Sequence, residues 1–392
     1  MRARGFTLME AMLASSLGLV VLAGTLTVGV QLQRKAIFER QTSMVQGGTQ
    51  AMTELFGPLV QRAGEGMGNA RISLGGTVSA YAVQATTRDA FAGFPGFSLP
   101  PDIYADRASD SLQVRWADPT ALVRLTACNL SGADGGTGAF SRDGQGVCTV
   151  SLASAFDAGT PVYFVNPDLP EACSHLTSGP ANAGTPNVHA PYLPTQAYPT
   201  ASEPPAGDGC AMGGALWATP GTVVMPSGGA TFRVNWASGA PVLEWTQRAP
   251  PLPGDTWTEL SRDVEQMTVA FGVRDLTPDA GNPLSWYPAA DGGTQSVDKC
   301  AGVLSPTTSC PVPGGMGPPA LDPTVADALM RRARAVEIRL VARAARRDSS
   351  GEVGPDGGGY AVDSEGNPED GFTRRTLVMT VAPRNFQIAG SF

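Results

Sequence analysis

The chain has 392 residues, with Lys+Arg 27 against Asp+Glu 35, a formal charge of −8, Gly 48 and Pro 33. A mildly acidic chain whose only lysines are Lys35 and Lys299 is excluded as a general polyanion binder. The length allows one anchoring helix plus one large folded unit or two small ones.

Met1-Arg2-Ala3-Arg4-Gly5 is a short basic leader, and Phe6 opens an apolar segment whose one charge is Glu10. No charge follows between 11 and 33, and residues 11–30 as a helix would measure about 30 Å, one bilayer core. A carboxylate near the start of such a span costs roughly 2.5–3.5 kcal/mol at mid-bilayer and less near the interface, so Glu10 points to a function. Two plainer readings compete. An ordinary secretory signal has an apolar region of about 7–15 residues and then a small-residue cleavage site. Here the run is longer, a carboxylate interrupts its start, and Leu22-Ala23-Gly24 makes a poor site. A simple single-span anchor, with Arg2 and Arg4 holding the N-terminus in the cytoplasm, gives no reason for the tight order Gly5-Phe6-Thr7-Leu8-Met9-Glu10.

The helix is expected to continue. Ile37, Met44, Val45, Met52, Leu55, Phe56, Leu59, Val60 and Ala63 recur at three- and four-residue spacing, a stripe ready to pack on a sheet. Gly18, Gly24, Gly29, Gly47 and Gly48 each cost roughly 1 kcal/mol relative to alanine, and Pro58 is expected to kink or end the helix nearby. The remainder reads as strands at 78–85, 111–116, 122–128, 147–152, 161–165, 230–236, 242–245, 266–273, 336–344 and 374–381. In 336–344 the alternation puts Val336, Ile338, Leu340 and Ala342 inward and Glu337, Arg339 and Arg343 outward. Residues 323–334 suit a short helix with Asp322 as N-cap and Pro323 at its first position. Turn-rich stretches fill 131–146, 174–214, 278–319 and 348–371.

Cys128, Cys148, Cys173, Cys210, Cys300 and Cys310 all lie beyond the apolar segment. No Cys-x-x-Cys occurs and only His175 and His189 could assist a metal, so disulfides are the expected use outside the cytosol. Nearest-neighbour pairing is preferred: Cys128–Cys148, Cys173–Cys210 and Cys300–Cys310, the last holding a Pro- and Gly-rich loop.

The segment from Gly5 to Glu10 resembles the class III signal of type IV prepilins and type II secretion pseudopilins. That resemblance implies that a prepilin peptidase cuts after Gly5 and methylates the new terminus, Phe6. It also implies that Glu10 pairs with the terminal amine of a neighbouring subunit and so sets its register. Met9 departs from the branched aliphatic usual there but remains apolar. Further landmarks follow in order: Arg62-Ala63-Gly64, then Ser109-Asp110-Ser111, then Val242-Leu243-Glu244-Trp245. After them come the run from Leu260 to Val273, the run from Ala335 to Arg343, and a last strand up to Asn385. Jointly they are similar to PilW-like minor pilins, although family members often carry a tryptophan where this chain has Met330-Arg331-Arg332.

The resemblance implies an α+β pilin fold, a long N-terminal helix on a large antiparallel β-rich head with disulfide-stapled loops. Its divisions would be a leader at 1–5, a membrane and filament-core helix at 6–33, an amphipathic helix at 34–68 and a head at 69–392. The implied function is a non-enzymatic minor pilin in the priming or tip complex that initiates a pilus, without cofactor or metal. Its partners would be other minor pilins, the major pilin, the prepilin peptidase and, before assembly, the inner membrane, with the head in the periplasm and later outside the cell. Two alternatives stay open: a J-type pseudopilin of type II secretion, and a tip adhesin using its long loops as a contact surface.

Enzymatic readings find little. His175 and His189 have no evident nucleophile or metal partner, and no Gly-x-Ser-x-Gly, phosphate-binding loop or His-Glu-x-x-His occurs. Residues 363–370 alternate carboxylates and amides but fail as a calcium loop, with Pro368 where glycine is needed and Arg374 in place of the terminal glutamate; a solvated hairpin loop is expected. The cluster Arg331, Arg332, Arg334, Arg339, Arg343, Arg346 and Arg347 has acidic residues after it and no interleaved aromatic in sequence, so nucleic-acid binding is not expected.

Overall fold

The computed structural model describes residues 8–69, 71–75, 78–86, 91–124, 161–166, 171–180, 186–191, 223–252, 254–276, 284–288, 295–319, 322–344, 347, 362 and 366–387. Helix α1 (Leu8–Arg62) runs 55 residues, about 80 Å at 1.5 Å per residue. Its first part, Leu8–Gln33, buries nothing against the rest of the chain. In its last part Met52, Phe56 and Val60 recur every four residues on one face, and all three are buried. Leu55 and Leu59 flank them, half-buried against the same core.

Pro58 does not end α1 at once. It sits exposed inside the helix, which continues to Arg62. The stop comes at Gly64, with φ +73, a left-handed position where glycine avoids the steric cost of a Cβ. Asn385 caps this end by donating from its side-chain amide to the Ala63 carbonyl at 3.4 Å.

The described strands fall into two sheets. The larger contains β1 (Arg71–Gly75), β2 (Val78–Ala80), β3 (Val83–Thr86), β4 (Ser111–Ala117), β5 (Val123–Arg124), β6 (Pro161–Val165) and β7 (Glu171–Pro180). It is completed by β8 (Pro186–Pro191), β9 (Val223–Asn235), β10 (Val242–Thr246) and β11 (Thr258–Ser261). Its central path is β11-β10-β9-β6-β7-β1-β2, with β4 also on β9 and β3 on β4. The smaller sheet has the order β13-β12-β14-β15, from β12 (Val264–Arg274), β13 (Leu284–Pro288), β14 (Ala333–Arg343) and β15 (Arg374–Val381). Among the described residues every ladder is antiparallel except β1 on β7.

Strand β9 joins the two ends of the larger sheet. Its first residues, 223–226, pair with β6, and from Ser227 onward it pairs with β4. Gly229 sits two residues past the change, opposite Arg115: a Cβ there would lie 2.7 Å from the Ala249 Cβ, so only glycine permits this approach. The 13-residue strand carries Phe232, whose ring centroid is 4.4 Å from that of Phe56. The covered end of α1 thus packs on β9, and it also contacts β4, β14 and β15. One hydrophobic core includes Phe56, Val60, Leu112, Phe232, Phe271, Ile338 and Phe386.

Helix α2 (Val325–Arg331) is capped two residues beyond the expected position. Thr324, not Asp322, is the N-cap, and Thr324 and Asp327 form a reciprocal capping box. Pro323 therefore precedes the cap instead of opening the helix. Asp322 is buried and does other work, accepting from the Gly317 amide at 2.7 Å and pairing with Arg331 at 2.7 Å. The expected strands at 161–165 and 374–381 match β6 and β15. Of 122–128 only β5 is described, and 147–152 lies outside the described residues.

Candidate functional site

The exposed part of α1 is the most unusual surface of the molecule. Leu8, Met9, Met12, Leu13, Leu17 and Leu19 are all exposed, and Leu8 reaches 82%. A run of this kind is normally covered by lipid or by other helices. Its hydroxyls are satisfied within the helix: Ser15, Ser16 and Thr25 donate to carbonyls three residues back at 2.9 Å, and Thr27 donates four residues back at 2.8 Å. Internal satisfaction of this sort suits an apolar surrounding, where water cannot serve those hydroxyls. Glu10 lies exposed in the first turn, the end of a helix where a negative charge is favoured. By length and composition Leu8–Gln33 can cross a membrane, with a mean hydropathy of 2.0.

Gly5 and Phe6 lie outside the described residues, as do Cys128, Cys148 and Cys210. Cys173 stands in β7, opposite Phe164 of β6 and Ser73 of β1. Cys300 and Cys310 are joined, as expected. Their short loop contributes about 2–3 kcal/mol in the chain-entropy account of disulfides. His175 and His189 are not loop residues: they stand on the adjacent strands β7 and β8, with Leu176 opposite His189. Among the described residues no group of three or more His, Cys, Asp or Glu could hold a metal.

In the head, Val362 bridges Pro368 antiparallel, Gly366 and Glu369 are exposed, and 363–365 lie outside the described residues. The end of the expected solvated loop, Asp370, enters a buried charged cluster. Asp370 is 1% exposed and Glu265 fully buried, and Arg374 bridges them at 2.6 Å and 2.8 Å. Arg107 adds a contact to Glu265 at 3.8 Å and donates to the Gly366 carbonyl at 2.6 Å. Burial alone would raise the Asp370 carboxyl, but hydrogen bonds from Arg374, the Phe372 amide and Tyr104 outweigh it and hold the carboxyl below its ordinary range. Burial likewise opposes the Arg374 charge, and the hydrogen bonds to Asp370 and Glu265 reverse the balance upward. This is a clamp between β12 and β15 with no reacting group in it. The residue that spoils a calcium loop is the one that closes the clamp.

A second junction has no counterpart among the sequence expectations. Ser109 and Asp110 cap the edge of β12 that β13 leaves unpaired: the Met267 amide donates to Ser109 Oγ at 3.1 Å and the Val269 amide to Asp110 Oδ2 at 2.8 Å. The Asp110 amide returns a bond to the Met267 carbonyl at 2.9 Å. The pair thereby ties β4 of one sheet to β12 of the other. Burial pushes the Asp110 carboxyl up to about 6, against the lowering effect of the Val269 bond. A Ser-Asp pair directly before an apolar strand was the visible signal, since both residues favour backbone capping.

Arg343 also departs from expectation. It is half-buried, with its guanidinium carbon 4.5 Å from the Phe372 ring centre and 5.7 Å from that of Trp236. Aromatics that are distant in sequence meet the arginines in space.

No family model and no curated protein matches the chain. Among solved structures it is similar to a type IV-like pilin from Thermus thermophilus, at 13% identity and a TM-score of 0.21, over 60% of this chain and 89% of that one. A likeness at that score carries no argument. The architecture rests instead on what the molecule itself displays: a long N-terminal helix, one end bare and the other buried among antiparallel sheets.

Proposed function

We propose that the chain is a pilin-type subunit, and within that class a minor pilin that helps start or cap a type IV pilus. The observation that carries this reading is the division of α1. Twenty-six residues, Leu8–Gln33, find no cover in their own fold, while the same helix is built into the head further along. Lipid would cover the bare part before assembly and neighbouring helices would cover it afterwards. Glu10, at the head of that part, would meet the amine freed by cleavage after Gly5, because a carboxylate at membrane depth is tolerable chiefly when paired. The large head suits a terminal position better than a crowded shaft.

Mass spectrometry of the membrane-extracted protein tests processing: methylated Phe6 is expected at the terminus, and retained Met1 or a terminus near Gly24 overturns the reading. Glu10→Gln tests register. Cleavage should be unchanged while co-purification with the pilus machinery falls, since an amide cannot neutralise an ammonium and breaking a buried pair costs ~3–5 kcal/mol. Deleting the gene separates pilus from secretion. Pili lost, then restored by removing the retraction motor, support priming; normal piliation with lost secretion would mark a pseudopilin.

A further inference from the structure

Among the described residues around Phe372, the carboxylates form ion pairs with arginines other than Arg343. Arg343 stands directly opposite Arg374 in the β14–β15 ladder, an arrangement of like charges that costs free energy unless something neutralises it. Among the described residues, Glu265 and Asp370 are both engaged by Arg374, and Arg107 stands against Glu265 and Asp106. Among the described residues the Arg343 side chain has no hydrogen bond and no ion pair; its contacts are the rings of Phe372 and Trp236. Arg347, exposed, adds a second guanidinium 5.1 Å from the centre of Phe372. Trp236 is 3% exposed, and its indole N–H has no partner among the described residues.

Such an arginine cannot shed its charge, so it keeps five donors in a planar fork. Aromatic contacts satisfy the ring-facing side of a guanidinium and leave its in-plane N–H groups unspent. Partial burial strengthens any charge-assisted bond those donors make. We infer that Arg343, braced by Phe372 and Trp236, forms a site for a single oxyanion group: a carboxylate, sulfate or phosphate. The fork geometry matches two oxygens of such a group at once. This site lies outside the anchor and goes beyond the pilin reading, so either can fail without the other.

The test titrates the full-length protein, in a non-ionic detergent, with sodium acetate, sulfate and phosphate against chloride at matched ionic strength. The Arg Nε–Hε resonances of labelled protein are the readout. Saturable movement of the Arg343 resonance is expected with at least one of the three, at concentrations below about 10 mM. The arms identify which oxyanion the site prefers. Arg343→Lys keeps the charge and loses the fork, and should weaken binding by about tenfold. Saturation is then followed through the Arg347 resonance and by calorimetry. Arg375→Gln, at an exposed arginine on the adjacent strand β15, should bind like wild type. No saturable response to any of the three, or equal binding by wild type and Arg343→Lys, overturns the proposal.

Discussion

Helix α1 places two kinds of apolar surface in one continuous element. From Leu8 to Gln33 the side chains are apolar on all sides and none is buried, whereas from Met52 to Val60 they form a stripe that is buried on one face only. The difference records where cover comes from. A stripe answers a partner on one side, here β9 with Phe232 and the neighbouring strands. An all-round apolar surface answers a surrounding medium, or partners on several sides. The chain folds against itself at one end of the helix and leaves the other to something outside it.

The sharpest way to break this contrast is to delete similar bulk from each half. Phe56 is fully buried, and Phe56→Ala should cost the head about 3–5 kcal/mol, read as a lower denaturation midpoint in detergent. Leu22, 59% exposed, has no such role, and Leu22→Ala should leave that midpoint unchanged within about 0.5 kcal/mol. If Leu22→Ala destabilises the head comparably, the two halves are not independent and the contrast fails.

The legible parts of the molecule were those with a strong local period. The all-round apolar run, the Met52-Phe56-Val60 stripe, β6 and β15 follow from residue spacing alone. Strand β8 and most of β7 lie in the turn-rich stretch 174–214, where Ser178-Gly179-Pro180 and the surrounding prolines outweigh any alternation. Strand β13 hides its Leu284-Ser285-Trp286-Tyr287 between proline- and glycine-rich neighbours; it exists because β12 offers an edge, a tertiary fact. The α2 cap lies two residues past the expected Asp322 because Asp322, Pro323 and Thr324 are all credible starts. Only the partner three residues on, Asp327, decides among them. The Glu265–Arg374–Asp370 clamp joins positions more than a hundred residues apart, and no spacing rule reaches that far.

A smaller effect concerns the platform that covers the second half of α1. Asp110 ties its two sheets together, and burial raises the carboxyl from 3.8 to about 6. A raised folded value means that the folded protein holds this proton more tightly than the unfolded chain does. The contribution is therefore complete below the ordinary carboxylate value and is lost as pH rises through about 6. At one unit per 1.36 kcal/mol the loss is roughly 3 kcal/mol. Asp110→Asn keeps an acceptor for the Val269 amide and removes the ionisation. Its head should be more stable than wild type at pH 7, and the difference should vanish near pH 4. A wild-type advantage at pH 7 would show that the ionised carboxylate is the form the junction needs.

The smallest effect belongs to the bare half. Gly18, Gly24 and Gly29 each cost the helix about 1 kcal/mol relative to alanine, and a Cβ at any of them would meet nothing within 4 Å. Within this chain, then, nothing requires glycine at these positions. Replacing all three by alanine should leave the head's denaturation midpoint unchanged and make the helix more resistant to heating in detergent, followed by circular dichroism at 222 nm, the ordinary helix band. Assembly gives the discriminating readout. Small residues let neighbouring helices approach closely in an apolar medium, so the triple variant should lose co-purification with its partner subunits while gaining intrinsic helix stability. If it assembles as well as wild type, the glycines only weaken the helix. The bare half is then covered loosely, by lipid or by helices that never come close.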